Sequence, residues 1–565
     1  MRQFFKENKV YVLVIILTVI AFNVINVFWP VFLIGDDGFF YHFLNNSIHN
    51  FNNVIKSLNY KDFSFFGTQV TKMIFLLTDS FSIYFGRGIY LLFMVIASLY
   101  FYRILRFRLH LSQNVSMVSA VIPNILPYNF KMPGYIVGSY LIFTLMMLLL
   151  TLDFSLKYLE NKERDKKNIR LFFIIVLSLG FTMSSGQALF LFPVIILLIL
   201  VYQGNRLKKI LLLTLFSSQF ILKFVWMLVH PRVPVISQDM NEVFHRIYLY
   251  FKWGLPFPFL SSEVSIILFF IILLFLVVLI FRKSDGLAFT KSQNFIFSSF
   301  TKHRLFIIIF FAVWAISTVF ANMFLRKVGW QFRFCYASYF GFFTLFALSL
   351  YSILGLLKNK RLEIYMTIIL ILISGIYKIS MTKTKFDRTN ELLGYIKHKI
   401  AQSKPPKKSQ FIIILKRQYG LTKNIIKNSG VLQYALGRKD ITGNIASDKH
   451  IYYGFTRHFV PFKGNYVKYM NGYNLKKPLF IYRFNNGTFK QYHLCLEWLG
   501  EGKGAEWVIY KLDKKTGANS VFLKGKGLDD YFMKVKELEK KGIEQDDIVF
   551  GESTCVKDLE RLKKN

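Results

Sequence analysis

Apolar positions along this chain come in long blocks rather than in alternation. Runs at about 10–34, 88–105, 115–130, 135–152, 171–183, 188–202, 210–229, 264–281, 305–324, 334–357 and 364–379 are separated by short polar segments. About 20 apolar residues in a helix are needed to cross the ~30 Å hydrocarbon core of a bilayer, so the pattern predicts a polytopic α-helical membrane protein with about 11 spans. The runs near Val115 and Leu171 are short. Pro123 and Pro127 interrupt the first of these, which leaves a kinked or re-entrant segment as the alternative there. The run 10–34 is longer than a secretory signal core and has no small-residue cleavage site, which predicts a retained anchor.

The segment 35–87 is polar but patterned. Phe40, Phe43, Leu44, Ser47, Ile48, Phe51, Val54, Ile55 and Leu58 recur at helical spacing, with Asn45, Asn46, Asn50 and Asn53 on the other faces. This predicts an amphipathic helix lying at a membrane interface. His42 and His49 would share one face of it, but with no third ligand they read as polar-face residues.

The chain carries 72 Lys and Arg against 32 Asp and Glu, a formal charge of +40. Such an excess ordinarily points to nucleic acid, but here the cations fall in loops between apolar runs and in the last third of the chain. Membrane topology accounts for the loops, so no nucleic-acid partner is expected. Arg2, Lys6 and Lys9 place the N-terminus in the cytoplasm, and every even-numbered crossing returns to a basic loop. The intervening loops, 35–87 and 230–262 among them, are poorer in cations and richer in aromatics, and are assigned to the outside. Lys223 stands out as a charge inside an apolar run.

Beyond Ile379 the composition changes to Lys-rich sequence with strand-like runs at 411–415, 479–482 and 507–510 and a helical pattern at 529–541. We therefore expect a membrane module over 1–380, with 35–87 as its first external loop, and a soluble α+β domain over 381–565. An odd number of crossings puts that domain outside the cytoplasm, where a Cys495–Cys555 disulfide could form. Three cysteines are too few for a metal framework.

The first external loop opens on Gly35-Asp36-Asp37-Gly38. An Asp in that place can cap the helix that follows, and ionisable groups at the end of a span are also functional candidates. In layout the chain resembles the C-type (GT-C) integral-membrane glycosyltransferases, with an acidic pair heading the first external loop, interfacial helices behind it, many spans and an external C-terminal domain. Asp36 and Asp37 match that family's acidic motif, and Phe85-Gly86-Arg87 is also similar. The resemblance implies transfer of a sugar from a polyprenyl-phosphate donor to a glycan, lipid or protein acceptor on the outer side of a bacterial cytoplasmic membrane, in contact with membrane lipids. Asp36 and Asp37 would be catalytic, one as base and its neighbour as orienter, or both would hold a divalent cation such as Mg or Mn. The donor phosphate calls for cations, and Arg326, Arg333, Arg232, Arg246 and Arg87 are the external candidates, Arg326 and Arg333 lying beside Trp330. Each of them could equally be an ordinary interface anchor. No cytoplasmic loop carries a Gly-rich phosphate fingerprint, which argues against a nucleotide-sugar donor. The alternatives are a polysaccharide polymerase or ligase, a lipid or polysaccharide transporter, and a non-enzymatic assembly factor. A transporter would show charges buried inside its spans or internal repeats.

Overall fold

The computed structural model describes residues 8–28, 83–126, 139–161, 166–182, 187–229, 240–254, 300–324, 336–357, 359–402, 407–415, 429–447, 479–485, 488–493, 495–498, 505–512, 519–526 and 548–550, with single positions between 263 and 278 and at 533 and 537. These fall into two compact units, one ending at Thr384 and one beginning at Lys385.

The first unit is helical. Its elements are α1 (Lys9–Phe28), α2 (Ile83–Arg103) prolonged by a π-helical turn (Ile104–Arg108), α3 (Gln113–Ile125), α4 (Ser139–Glu160), α5 (Lys166–Thr182), α6 (Gln187–Val201), α7 (Arg206–Val229), α8 (Met240–Gly254), α9 (Phe300–Phe324), α10 (Tyr336–Leu356) and α11 (Lys360–Gln402). Among the described residues, five stretches are long and apolar enough to cross a membrane: Lys9–Phe28, Ile83–Arg108, Leu141–Glu160, Tyr336–Gly355 and Lys360–Thr384. The outward faces of α1 and α11 carry Leu13, Leu17, Val24, Ile364, Ile368, Leu372 and Ile376. Exposed aliphatic stripes of this kind suit hydrocarbon rather than water as the solvent.

Between helices in lipid the driving force is close packing rather than exclusion of water. Phe101 of α2 meets Trp314 of α9 and Phe340 of α10 edge-on at ring-centroid separations of 5.8 and 5.0 Å, pairs worth roughly 0.5–1.5 kcal/mol each. Trp314 Nε1 donates to Ala337 O at 2.9 Å, so its one polar atom is satisfied. Gly341 lets α10 approach α9 closely, since a Cβ there would lie 2.8 Å from the Ala315 backbone nitrogen.

Every expected run that falls among the described residues as a continuous stretch is helical, but several details differ from expectation. The third expected crossing is the 13-residue α3, about 20 Å long at 1.5 Å per residue and too short for a ~30 Å core. All its residues from Val115 to Ile125 are buried, against α10, α2 and α1. The run is apolar because protein surrounds it, and the odd crossing count that placed the C-terminal domain outside counted this run as a crossing. Arg103, Arg106 and Arg108, expected in a connecting loop, continue α2 instead, with Arg103 and Arg108 buried. Nor does the last helix stop at 379. No proline or glycine interrupts 380–393, and α11 runs 43 residues to Gln402, with Phe386 and Leu393 buried.

In the second unit the three expected strand runs form β1 (Gln410–Leu415), β3 (Leu479–Asn485) and β6 (Ala505–Leu512). Helix α12 (Ser429–Leu436) connects β1 to β2 (Thr442–Ser447), a crossover of the sort that parallel pairing requires. β1 pairs in parallel with both β2 and β3, and β3 continues antiparallel into β4 (Thr488–His493). A second sheet has β6 antiparallel to β7 (Asn519–Lys526) on one side, with β5 (Cys495–Trp498) and β8 (Ile548–Phe550) along the other. Cys495 begins β5, while Cys555 lies outside the described residues.

Candidate functional site

The chain leaves the Phe28 end of α1 toward Asp36 and Asp37, and that end is built around a buried cation. Arg87, the fifth residue of α2, is wholly inaccessible and its Nη1 donates to Val27 O at 3.4 Å. The last carbonyls of a helix lack intrahelical partners and carry the negative end of its dipole, so a guanidinium is favoured there. The Phe28 and Tyr84 rings meet at a tilt at the same helix end, 5.7 Å between centroids. The sequence-predicted Arg87 thus sits at the Phe28 end of α1, and the bond visible there is to the backbone of α1.

A second cation lies deeper. Lys378 of α11 is fully buried, and its Nζ donates to Asn124 O at 2.8 Å and to Asn23 Oδ1. The Asn23 amide donates to Val19 O at 2.8 Å and to Asn124 O at 3.3 Å. Asn124 donates to Ser98 Oγ at 2.5 Å and accepts from the Tyr336 hydroxyl. One polar network therefore joins α1, α2, α3, α10 and α11. Sequence reasoning named Lys223 as a charge inside the runs and passed over Lys378, which lies inside the run 364–379, next to its last residue. Asn23 and Asn124, single amides among aliphatic neighbours, carried a weak signal that only the packing makes readable.

At the opposite end of α2, where its basic residues gather, Asp153 of α4 is buried between Arg103 at 3.3 Å and Arg108 at 3.2 Å. Arg108 also pairs with Glu160, which accepts from the Tyr202 hydroxyl. Lys208 donates to Tyr158 O and Asn161 O and stands 4.7 Å over the Tyr158 ring. His303 precedes the apolar run of α9. Burial pushes it down to about 4, and the neighbouring His110 and Arg304 add to that. Burial likewise lowers His110. Asp153, Arg103, Arg108, Glu160 and Tyr202 brace the bundle by satisfying one another, an arrangement suited to fixing helices.

Of the other residues predicted from sequence, Asp36, Asp37, Arg232, Arg326 and Arg333 lie outside the described residues. Arg246 lies on the buried face of α8 with Val243 and Tyr250. Tyr250 fastens that helix by bonding Ala315 O at 2.8 Å and Ser338 Oγ at 2.6 Å, and it stacks on Tyr339 at 5.5 Å. The loop 230–262 thus contains a helix, α8, one face of which is held against α9. Among the described residues no group of three or more His, Cys, Asp or Glu is placed to hold a metal ion. The proposed cation ligands Asp36 and Asp37 are not among those residues.

No family model matches the chain, and no curated protein matches it. Three similar solved structures are of one enzyme. It is the oligosaccharyltransferase of Archaeoglobus fulgidus, a C-type glycosyltransferase. Its complex with Zn and sulfate is 12% identical, with a TM-score of 0.40 over 85% of this chain and 72% of that one. The form tethered by a disulfide to an acceptor peptide containing the NVT sequon is 13% identical, with a TM-score of 0.40 over 92% and 74%. The apo form is 12% identical, with a TM-score of 0.39 over 84% and 69%. A likeness at this level leaves the reading of the site to the residues themselves.

Proposed function

We propose that the chain is a C-type membrane glycosyltransferase that moves a sugar from a polyprenyl-phosphate carrier to an envelope glycan, lipid or protein acceptor on the outer side of a bacterial cytoplasmic membrane. The observation that carries this reading is the placement of Arg87. A buried guanidinium closes the end of the first membrane-length helix from which the chain continues to Asp36 and Asp37. Transfer from a phosphate-linked sugar requires a cation and a carboxylate together, and the sequence supplies Asp36 and Asp37 shortly after that helix. One carboxylate takes the proton of the acceptor hydroxyl while the anomeric carbon becomes oxocarbenium-like, and a cation stabilises the departing phosphate. Asp36 and Asp37 also suit a hard divalent ion such as Mg or Mn, which would supply charge against that phosphate. Arg326, Arg333 and Arg232 remain the candidates for further phosphate contacts.

The decisive experiment offers the purified, bilayer-reconstituted protein a polyprenyl-phosphate sugar and the matching UDP- or GDP-sugar. Transfer from the lipid alone is expected, and turnover of the nucleotide sugar without lipid would overturn the reading. Asp36→Asn and Asp37→Asn should insert normally, and at least one should lower transfer by about 10²-fold or more.

A transporter is the second reading, and the burial of Lys378 and Asp153 inside membrane-type helices is the observation that favours it. Both groups are already engaged, however, Lys378 by oxygens of α1 and α3 and Asp153 by two arginines. Movement of labelled lipid across vesicles without any sugar transfer would favour the transporter.

A further inference from the structure

The ammonium of Lys378 joins parts of the chain 355 and 254 residues away, and both of its partners bear on how α1 is held. Asn124 O belongs to the last turn of α3, whose carbonyls have no intrahelical partner and attract positive charge. Asn23 belongs to α1 and also reaches Asn124 O, at 3.3 Å. One carbonyl thus receives hydrogen bonds from both the first and the last helix of the first unit. Beside this junction Phe22 lies against Gly375, one turn before Lys378 on α11. A Cβ at Gly375 would overlap the Phe22 ring, so the glycine forms a notch that the ring fills. Aliphatic packing alone would let α1 slide or turn, because its outward face, with Leu13, Leu17 and Val24, is exposed. A buried polar bond admits one register and penalises others by leaving its groups unpaired.

We propose that Lys378 is a positioning residue. Through Asn23, and together with the Phe22–Gly375 notch, it fixes the axial and rotational setting of α1 and so delivers Asp36 and Asp37 to the reaction. The inference rests on the catalytic reading of that pair, and its test separates the two. Nitroxides are attached through an unnatural amino acid at positions 28 and 364, both exposed on their helices, in the full-length protein reconstituted in nanodiscs. The distance distribution is then measured by pulsed electron resonance for the wild type, Lys378→Met and Asn23→Ala. The same preparations are assayed with a polyprenyl-phosphate sugar.

The wild type should give a narrow distribution, and both variants a broadened or shifted one. Both should lose about tenfold or more in kcat, with the KM for the donor changed less than about threefold, and Lys378→Met on top of Asn23→Ala should add little. A distribution unchanged in either variant would overturn the lock. A broadened distribution with normal kcat would overturn its bearing on catalysis. Failure of the catalytic reading itself would show separately, as full activity in Asp36→Asn and Asp37→Asn with the lock intact. Should Lys378→Met not fold, Asn23→Ala carries the measurement, since it leaves the Lys378 bond to Asn124 O in place.

Discussion

Replacing Asp153 by alanine leaves two guanidinium groups buried with less to face. The carboxylate is wholly inaccessible and lies 3.3 Å from Arg103 and 3.2 Å from Arg108. Removing one partner of a buried pair costs about 3–5 kcal/mol, most of it the penalty of the charge left behind. Arg108 keeps Glu160, whose side chain is 30% exposed, so the lower part of that range applies, about 3 kcal/mol. That is a large share of the roughly 5–15 kcal/mol by which a folded protein is stable. The triple variant Arg103→Met, Asp153→Leu, Arg108→Met removes the charges together and should recover most of the loss, because apolar groups of similar volume replace buried ion pairs at little or no penalty. The assay is the thermal loss of monodisperse protein in detergent, followed by size-exclusion chromatography of a fluorescent fusion. Asp153→Ala should melt well below the wild type, with the triple variant near it. An unchanged melting point in Asp153→Ala would refute the argument that these charges hold α2 and α4 together.

Gly341→Leu should destabilise by at least the 1–3 kcal/mol typical of overpacking, because its Cβ would meet the α9 backbone 2.8 Å away; the same chromatographic assay checks it. Tyr336→Phe removes the donor to Asn124 Oδ1 and should cost about 1–3 kcal/mol, the penalty for a buried acceptor left unmade, read as a lowered melting temperature. His303, held at about 4 by burial, stays neutral in the folded protein, whereas an unfolded histidine titrates near 6.5. Its contribution to stability is therefore full above about pH 6.5 and lost as pH falls from there toward 4. Melting temperatures from pH 7 to pH 5 should fall more steeply for the wild type than for His303→Gln, and parallel curves would refute the assignment.

The helices were legible because lipid and protein interiors both demand apolar residues, so every run announces itself. That same ambiguity hid the nature of α3. Its run of apolar residues reads as a crossing, and the burial of its residues from Val115 to Ile125 shows that protein rather than lipid surrounds it. Asp153 falls one residue beyond the expected run 135–152 and so was not read as an intramembrane charge. Lys378, Asn23 and Asn124 have no periodic signature, since the bonds among them join helices far apart in the chain. In the second unit β1, β3 and β6 were legible from dense β-branched and aromatic runs. By contrast β2, Thr-Gly-Asn-Ile-Ala-Ser, owes its state to pairing in register with β1. The acidic pair is a candidate drawn from its place after the first run and before a patterned polar loop, a feature of order along the chain rather than of packing, and it lies outside the described residues.

The central claim is that Asp36 and Asp37 carry sugar transfer to the cell envelope. It is tested most directly by mass spectrometry of surface glycans from three otherwise identical strains: one lacking this gene, one complemented with the wild type, and one complemented with Asp36→Asn/Asp37→Asn at equal membrane abundance. The account predicts that a sugar-sized mass is absent without the gene, returns with the wild type and stays absent with the double variant. Identical glycans in all three strains, or full restoration by the double variant, would contradict it.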